Sequence, residues 1–210
     1  MSATTHIITS HRTRPIEPLT EAELQSLIRA ASPRSPSGCR NRALIATAAY
    51  AGLRVGELLA LRPKDLDLEA GEVQVLRGKG ARQRTAALLP GADVHLERWL
   101  RVRAELGVPR SAPLFCTISR GANPLAGPMK PGRPVTRPYV HAMLQRLAAR
   151  AGIEKRVHPH GLRHTHAHLL AERGKLVTDI RDQLGHSSLA TTSRYLDSFA
   201  PAGRVARLRA

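Results

Sequence analysis

Five histidines crowd the stretch "HPHGLRHTHAHLL", from His158 to Leu170. His160, His164 and His168 fall four residues apart, so a helix would stack them along one face, a spacing at which two imidazoles can hold a transition metal. Arg163 stands inside the cluster as a permanent cation. It would repel a divalent ion, and its planar fork suits a bidentate grip on phosphate or carboxylate. No acidic partner lies within the cluster. The choice between metal and anion therefore turns on the reactive residues elsewhere in the chain.

Those residues are Arg54 in "GLRVGEL", Lys79 in "RGKGARQRT", His186 in "LGHSS" and Tyr195 in "TTSRYLD". Each alone has an ordinary reading. Arg54 is an arginine at a helix start with Glu57 as its helical neighbour, and Lys79 is a solvated turn lysine. His186 can serve as a cap for a following helix, and Tyr195 as a half-buried edge of the core. Taken together with His160 and Arg163, they are two arginines, a lysine, two histidines and a late tyrosine. That set is what metal-free phosphoryl transfer from DNA requires.

Composition points the same way. Thirty-three Lys and Arg face 16 Asp and Glu over 210 residues, a net charge of +17. This exceeds what solubility needs and calls for a polyanionic partner. Aromatic residues make up only 3% of the chain. Few platforms exist for stacking the bases of a single strand, whereas duplex phosphates need only cations and backbone donors. Duplex DNA is thus favoured over single strands, with double-stranded RNA the alternative that composition leaves open. The length suits one domain. No apolar run approaches a membrane span or a signal core, so a cytoplasmic protein without membrane partners is expected. Cys39 and Cys116 are far apart and outside any Cys-x-x-Cys pair, which disfavours a disulfide scaffold or zinc–thiolate site.

The elements that must position these residues are mostly helical. Order is expected from "LTEAELQSLIRAA", where Thr20 and Glu23 make a capping-box pattern, with residues 1–18 disordered. "CRNRALIATAAYAG" predicts a buried Ala-rich helix stopping at Gly52, and "VGELLAL" a short one halted by Pro63, with Arg54 in the corner between them. "GEVQVLRGKGARQRTAALLP" predicts a β-hairpin with Lys79 at or near its turn. "DVHLERWLRVRAEL" returns to helix, and the Gly-, Pro- and Arg-rich "SRGANPLAGPMKPGRPVTRP" reads as a basic surface loop able to lie along DNA. Helices are expected again near 138–151 and 162–173 and in "VTDIRDQL" and "LATTSRYL". The fold class is mainly α with a small antiparallel β-sheet or hairpin.

In their order, the motifs "GLRVGELLAL", "RGKGARQRT", "HGLRHTHA", "LGHSS" and "TTSRYLD" resemble the catalytic domain of the tyrosine recombinase (phage integrase) family. His160 and Arg163 match that family's His-x-x-Arg, and His186 precedes Tyr195 by nine residues as in the family. The resemblance runs from about Leu19 to Asp197, within a catalytic domain placed at 19–200 and followed by a basic tail at 201–210. It implies a metal- and cofactor-free enzyme that breaks and rejoins DNA. In the roles implied, Arg54 and Arg163 clamp the non-bridging oxygens as charge builds on them, and His186 adds a hydrogen bond. Tyr195 attacks, His160 assists its proton, and Lys79 protonates the departing 5′ oxygen. Glu57 and His164 are supporting residues, while His158, His166 and His168 are solvated or packed helix histidines.

The chain departs from the family in one large respect. Family members commonly carry an N-terminal helical domain that clamps the opposite face of the DNA, and about 18 residues precede the catalytic segment here. That clamp is expected to be absent, which leaves a helper protein or second recombinase to supply it. The second hairpin strand reads "RTAALLP" where the family tends toward R-x-V-P-L, a mild change. Residues after Tyr195 suffice for a short helix docking on a neighbour, in line with a homotetramer on DNA. The alternatives are a type IB topoisomerase-like nickase with the same chemistry, a non-catalytic DNA-binding regulator, and a metalloenzyme built on His160, His164 and His168. The six intact positions argue against the regulator, and Arg163 argues against the metal.

Overall fold

The computed structural model describes residues 17–76, 83–118 and 131–186, together with the backbone of 122–123 and 127–128. Seven α-helices and two small antiparallel sheets are present among them. The helices are α1 (Glu21–Ala30), α2 (Pro36–Tyr50), α3 (Val55–Ala60), α4 (Asp93–Glu105), α5 (Arg137–Arg150), α6 (Pro159–Glu172) and α7 (Val177–Leu184). The strands are β1 (Leu66–Asp67), β2 (Glu72–Val75) and β3 (Arg84–Ala87), with the short pair β4 (Ala122–Asn123) and β5 (Gly127–Pro128) inside the Gly/Pro-rich segment.

Helix α2 is the axis of the fold. Ala43, Ala46, Ala48 and Ala49 are small enough for neighbours to approach from every side, and α1, α4 and α6 all pack on it. It begins earlier than the Ala-rich run predicts. Ser35 accepts a hydrogen bond from the Gly38 N–H at 3.1 Å and Pro36 takes the first helical position, so "SPSG" starts the helix rather than interrupting it. Helix α1 is held by the capping box read from the sequence: Thr20 Oγ1 accepts from Glu23 N, and Glu23 Oε2 accepts from Thr20 N.

The predicted hairpin is present, with Val75 opposite Arg84 and Glu72 opposite Ala87. A third strand, β1, pairs with β2 and is too short for any period-2 signal to show in the sequence. Along β2 and β3, Val73, Val75 and Ala86 face the core and their neighbours face out. Lys79, expected at or near the hairpin turn, lies outside the described residues, as do the expected helix "LATTSRYL" with Tyr195, residues 1–16 of the segment expected to be disordered, and the expected basic tail at 201–210. Helix α6 starts at Pro159, three residues before the predicted start, which brings His160 onto the helix in its first turn. Cys39 and Cys116 are buried and unbridged. No helix among the described residues is long and apolar enough to cross a membrane.

Candidate active site

The corner between α2 and α3 is built around Gly52, whose φ of 63° lies in the left-handed region. A Cβ there would stand 2.4 Å from Cδ2 of His166, so only glycine lets α6 come this close. His166 is fully buried and its Nδ1 is 2.9 Å from the Ala49 carbonyl. This histidine of the cluster thus joins α6 to α2. Arg54 follows as the residue capping α3. Its backbone N–H donates to Glu57 Oε2 at 2.9 Å, and its Nη1 donates to Glu57 Oε1 at 3.0 Å.

Arg163 is 1% exposed. It donates from Nη1 to the Gly52 carbonyl at 2.6 Å and from Nη2 to the Leu184 carbonyl at 2.5 Å. Two of its five N–H donors therefore fix the plane of the guanidinium between the α2–α3 corner and the end of α7. Arg54 Nη2 reaches the Gly185 carbonyl at 3.1 Å, and Arg84 Nη2 reaches the Leu184 carbonyl at 3.3 Å. Three guanidiniums thus converge on the C-terminal carbonyls of one helix, where orphan acceptors and the negative end of the helix dipole favour cations. Gly185 ends that helix in the left-handed conformation, with φ 63° and ψ 47°. Its N–H and that of His186 bond back to Asp182 and Arg181, a turn that sets the direction of His186.

Helix α7 is tied to the hairpin by Gln183. Its Oε1 accepts from Ala87 N at 2.8 Å and its Nε2 donates to Ala87 O at 2.8 Å, so a side-chain amide pairs with β3 as a strand would. Glu57 makes a second tie. Its Oε2 is 3.0 Å from Arg84 Nη2 on β3 while Oε1 holds Arg54. Burial pushes the Glu57 carboxyl up, yet the Arg54 backbone N–H and the charges of Arg84 and Arg54 outweigh it, and its pKa is lowered. Arg84 and its bridge to Glu57 were not singled out from the sequence, because nothing in "RQRT" distinguishes one arginine of a basic hairpin from the next.

Leu53, Arg54, Val55, Gly56, Glu57, Arg137, Pro159, His160, Arg163 and His186 line one open cleft of about 570 Å³. Four of the six residues assigned by motif meet there, from three stretches of sequence. Lys79 and Tyr195 lie outside the described residues. Arg137, at the first position of α5, is a lining residue the sequence reading passed over as part of a basic loop.

The imidazoles of this cleft are held neutral. Burial lowers the pKa of His160, and the charges of Arg163 and Arg54 lower it further. His186 is pushed down to about 4, by burial first and then by Arg163, Arg54, His160 and Arg84. His164, buried and edge-on to His160 with ring centroids 4.6 Å apart, is pushed down to about 3 by burial and then by its histidine and arginine neighbours. A neutral His160 can accept a proton, and a neutral His186 can donate a hydrogen bond without adding charge. The remaining histidines have structural partners. His158 caps α6 by accepting from Gly161 N at 3.2 Å, and His168 lies 3.3 Å from Glu172. Among the described residues, no three His, Cys, Asp or Glu side chains gather as metal ligands would.

A helical domain with a small three-stranded antiparallel sheet is the fold of tyrosine recombinase catalytic domains, and the chain belongs to the phage integrase family, which it matches over residues 17–201. Among named relatives it is 36% identical over 186 residues to tyrosine recombinase XerD of Xanthomonas axonopodis pv. citri (strain 306), covering 84% of this chain and 57% of that protein. Tyrosine recombinase XerC of the same strain is 38% identical over 162 residues, covering 77% of this chain and 48% of the relative. The chain thus spans about half the length of these relatives. Its fold is similar to the crystal structure of XerA recombinase, with a TM-score of 0.75 and 30% identity over 91% of this chain and 63% of the other. It is also similar to XerH site-specific recombinase bound to palindromic difH substrate in a post-cleavage complex, with a TM-score of 0.70 and 28% identity over 91% of this chain and 52% of that one.

Proposed function

We propose that this domain is a site-specific recombinase that cleaves and rejoins duplex DNA through a covalent 3′-phosphotyrosyl intermediate, with neither metal nor ATP. The observation that supports this best is the single cleft shared by Arg54, His160, Arg163 and His186, with both arginines already fixed by protein carbonyls. Such donors cost little reorganisation as charge builds on a phosphorane-like transition state.

In this reading the Tyr195 hydroxyl attacks the phosphorus and gives its proton to neutral His160. Arg54 and Arg163 hold the non-bridging oxygens, and His186 donates one further hydrogen bond. The bond to the 5′ oxygen breaks, and Lys79 supplies the proton that turns this oxygen into a free hydroxyl. Glu57 keeps Arg54 oriented, and His164 backs His160. The phosphotyrosyl bond retains the ester energy, so the 5′ hydroxyl of another strand can attack and reseal. Duplex DNA is the partner, in a homotetramer on two sites, with the opposite face of the DNA clamped by a domain, helper protein or second recombinase beyond this segment.

The test is a pool of nicked suicide duplexes of randomised sequence, incubated with the protein in EDTA. An SDS-stable adduct through the 3′ phosphate is expected, and Tyr195→Phe abolishes it. An adduct that survives Tyr195→Phe, or one that forms only with added metal, sinks the mechanism. Exchange of strands between two labelled duplexes separates recombination from nicking and resealing.

A further inference from the structure

Three guanidiniums line the described cleft, but only two carry an assigned role. Arg54 commits donors to Glu57 and to the Gly185 carbonyl, and Arg163 commits donors to the carbonyls of Gly52 and Leu184. Arg137 differs. It is exposed, and it makes no hydrogen bond or ion pair with any described residue.

Its position is nevertheless well defined. Arg137 opens the 14-residue helix α5, whose first turn is capped by Thr136 Oγ1 accepting from Tyr139 N. Tyr139 is clamped on α2: its ring lies under the Arg40 guanidinium at 4.9 Å, and its hydroxyl bonds Asn41 Oδ1 at 3.1 Å. From that anchored turn the Arg137 side chain reaches α3, where a Cβ on Gly56 would stand 2.9 Å from Nη2. The absence of a side chain at Gly56 leaves the guanidinium room against the cleft floor. A long cation with uncommitted donors loses rotamer entropy to stay there, and nothing in the described protein compensates for that loss.

The charges of the cleft identify what does. Its lining offers three guanidiniums and one carboxylate, and that carboxylate is shared with Arg84 from outside. One phosphodiester brings a single negative charge, so the scissile group leaves this wall still positive. DNA presents its next charge one nucleotide along the same strand.

We infer that Arg137 binds the backbone phosphate adjacent to the scissile one, as a positioning residue that sets the register of the strand in the cleft. The inference rests on the DNA-cleaving reading proposed above, and it adds a contact outside the reacting group.

The experiment is fluorescence anisotropy with a labelled 30-base-pair duplex over a range of NaCl, alongside single-turnover adduct formation at saturating suicide duplex. Arg137→Gln is expected to lower the slope of log affinity against log salt by about one, the signature of one lost phosphate contact. It should weaken binding roughly three- to ten-fold at moderate salt while leaving the saturated cleavage rate within about three-fold. Arg137→Lys should restore the slope. Gly56→Ala, which crowds the guanidinium, should weaken binding alone and have no added effect on top of Arg137→Gln. An unchanged slope, or full additivity of the two substitutions, overturns the inference. A saturated rate lowered a hundred-fold or more also overturns it, because Arg137 would then act on the scissile phosphate itself. Wild-type protein that binds duplex without forming an adduct would sink the recombinase reading and leave the slope test standing. Wild-type protein that binds no duplex sinks both. Arg137 is exposed, and an unchanged melting temperature checks that the variants fold.

Discussion

Arg163 on α6 donates Nη2 to the carbonyl of Leu184, the last residue of α7, at 2.5 Å, and His186 leaves the helix two residues later. The arginine of one motif thereby sets the position of the histidine of the next. Its Nη1 does the same for the other wall, since Gly52, which accepts it, lies two residues before Arg54. A residue assigned to phosphate binding is thus also the bolt that assembles the cleft.

Arg163→Ala is therefore expected to fail twice. It removes the Arg163 partner of the buried Gly52 carbonyl, at a cost of about 1–3 kcal/mol for an acceptor left without a partner, and leaves the Leu184 carbonyl only the longer bond from Arg84 Nη2. It also releases the end of α7. Urea denaturation should show the lost stability, and adduct formation should fall further than the folded fraction explains. Arg163→Lys, which replaces the two-nitrogen fork with a single ammonium, should be intermediate in stability. A variant with wild-type stability would contradict this account of the bolt.

Gly52 and Gly107 offer a matched comparison. Both have positive φ, 63° and 67°, but a Cβ on Gly52 runs into His166 while nothing lies within 4 Å of one on Gly107. Gly107→Ala should cost about 1–2 kcal/mol, the strain of a left-handed alanine. Gly52→Ala adds the displacement of a buried ring and should cost roughly 1–3 kcal/mol more. Thermal unfolding of the two variants checks the ordering, and equal losses would rule out the close approach of α6 to the α2–α3 corner.

The neutral histidines predict acid sensitivity. His164, His166 and His186 have folded pKa values of about 3, 4 and 4, below the ordinary value of about 6.5 in an unfolded chain. For a depressed pKa, the unfolded state binds protons that the native state refuses as pH falls below that ordinary value. The stability they contribute is full above about pH 6.5 and is lost progressively toward pH 4. Near pH 5, unfolding should take up about three protons from these residues, measurable by calorimetry in buffers of different ionisation enthalpy. His166→Gln should remove about one of them. Proton release at that pH would contradict the burial of these rings.

Lys79→Ala should slow cleavage of ordinary DNA, and a 5′-bridging sulfur at the scissile position should restore the rate, because a thiolate leaves without a proton. Single-turnover adduct formation on the two substrates is the measurement. Without rescue, Lys79 is not the general acid.

Much of the fold was legible because its signals are local. The Thr20–Glu23 capping box, the stop at Gly52, the hairpin strands on either side of "GKG", and the helical run through Arg163 each rest on neighbours within a few residues. The histidine cluster was legible only in part. Its spacing correctly placed His160 against His164, yet His166 turned out to be the residue that welds α6 to α2. The start of α2 was missed because "SPSG" carries breaker residues that are also an N-cap and a first-turn proline.

What the sequence by itself determined was the inventory and its order: the motif spacings, the excess of cations, and helices long enough to bury one face. What only the tertiary structure decided was which of 33 cationic residues meet. Arg84 and Arg137 look like any others in basic segments, and Glu57 like a helical neighbour of Arg54. Their roles come from contacts across 27 positions between Glu57 and Arg84, and 100 between Arg84 and Leu184. Local periodicity carries no information over such separations. A helix C-terminus with orphan carbonyls, brought beside a glycine corner by packing on α2, is what selects Arg54, Arg84 and Arg163 from the rest.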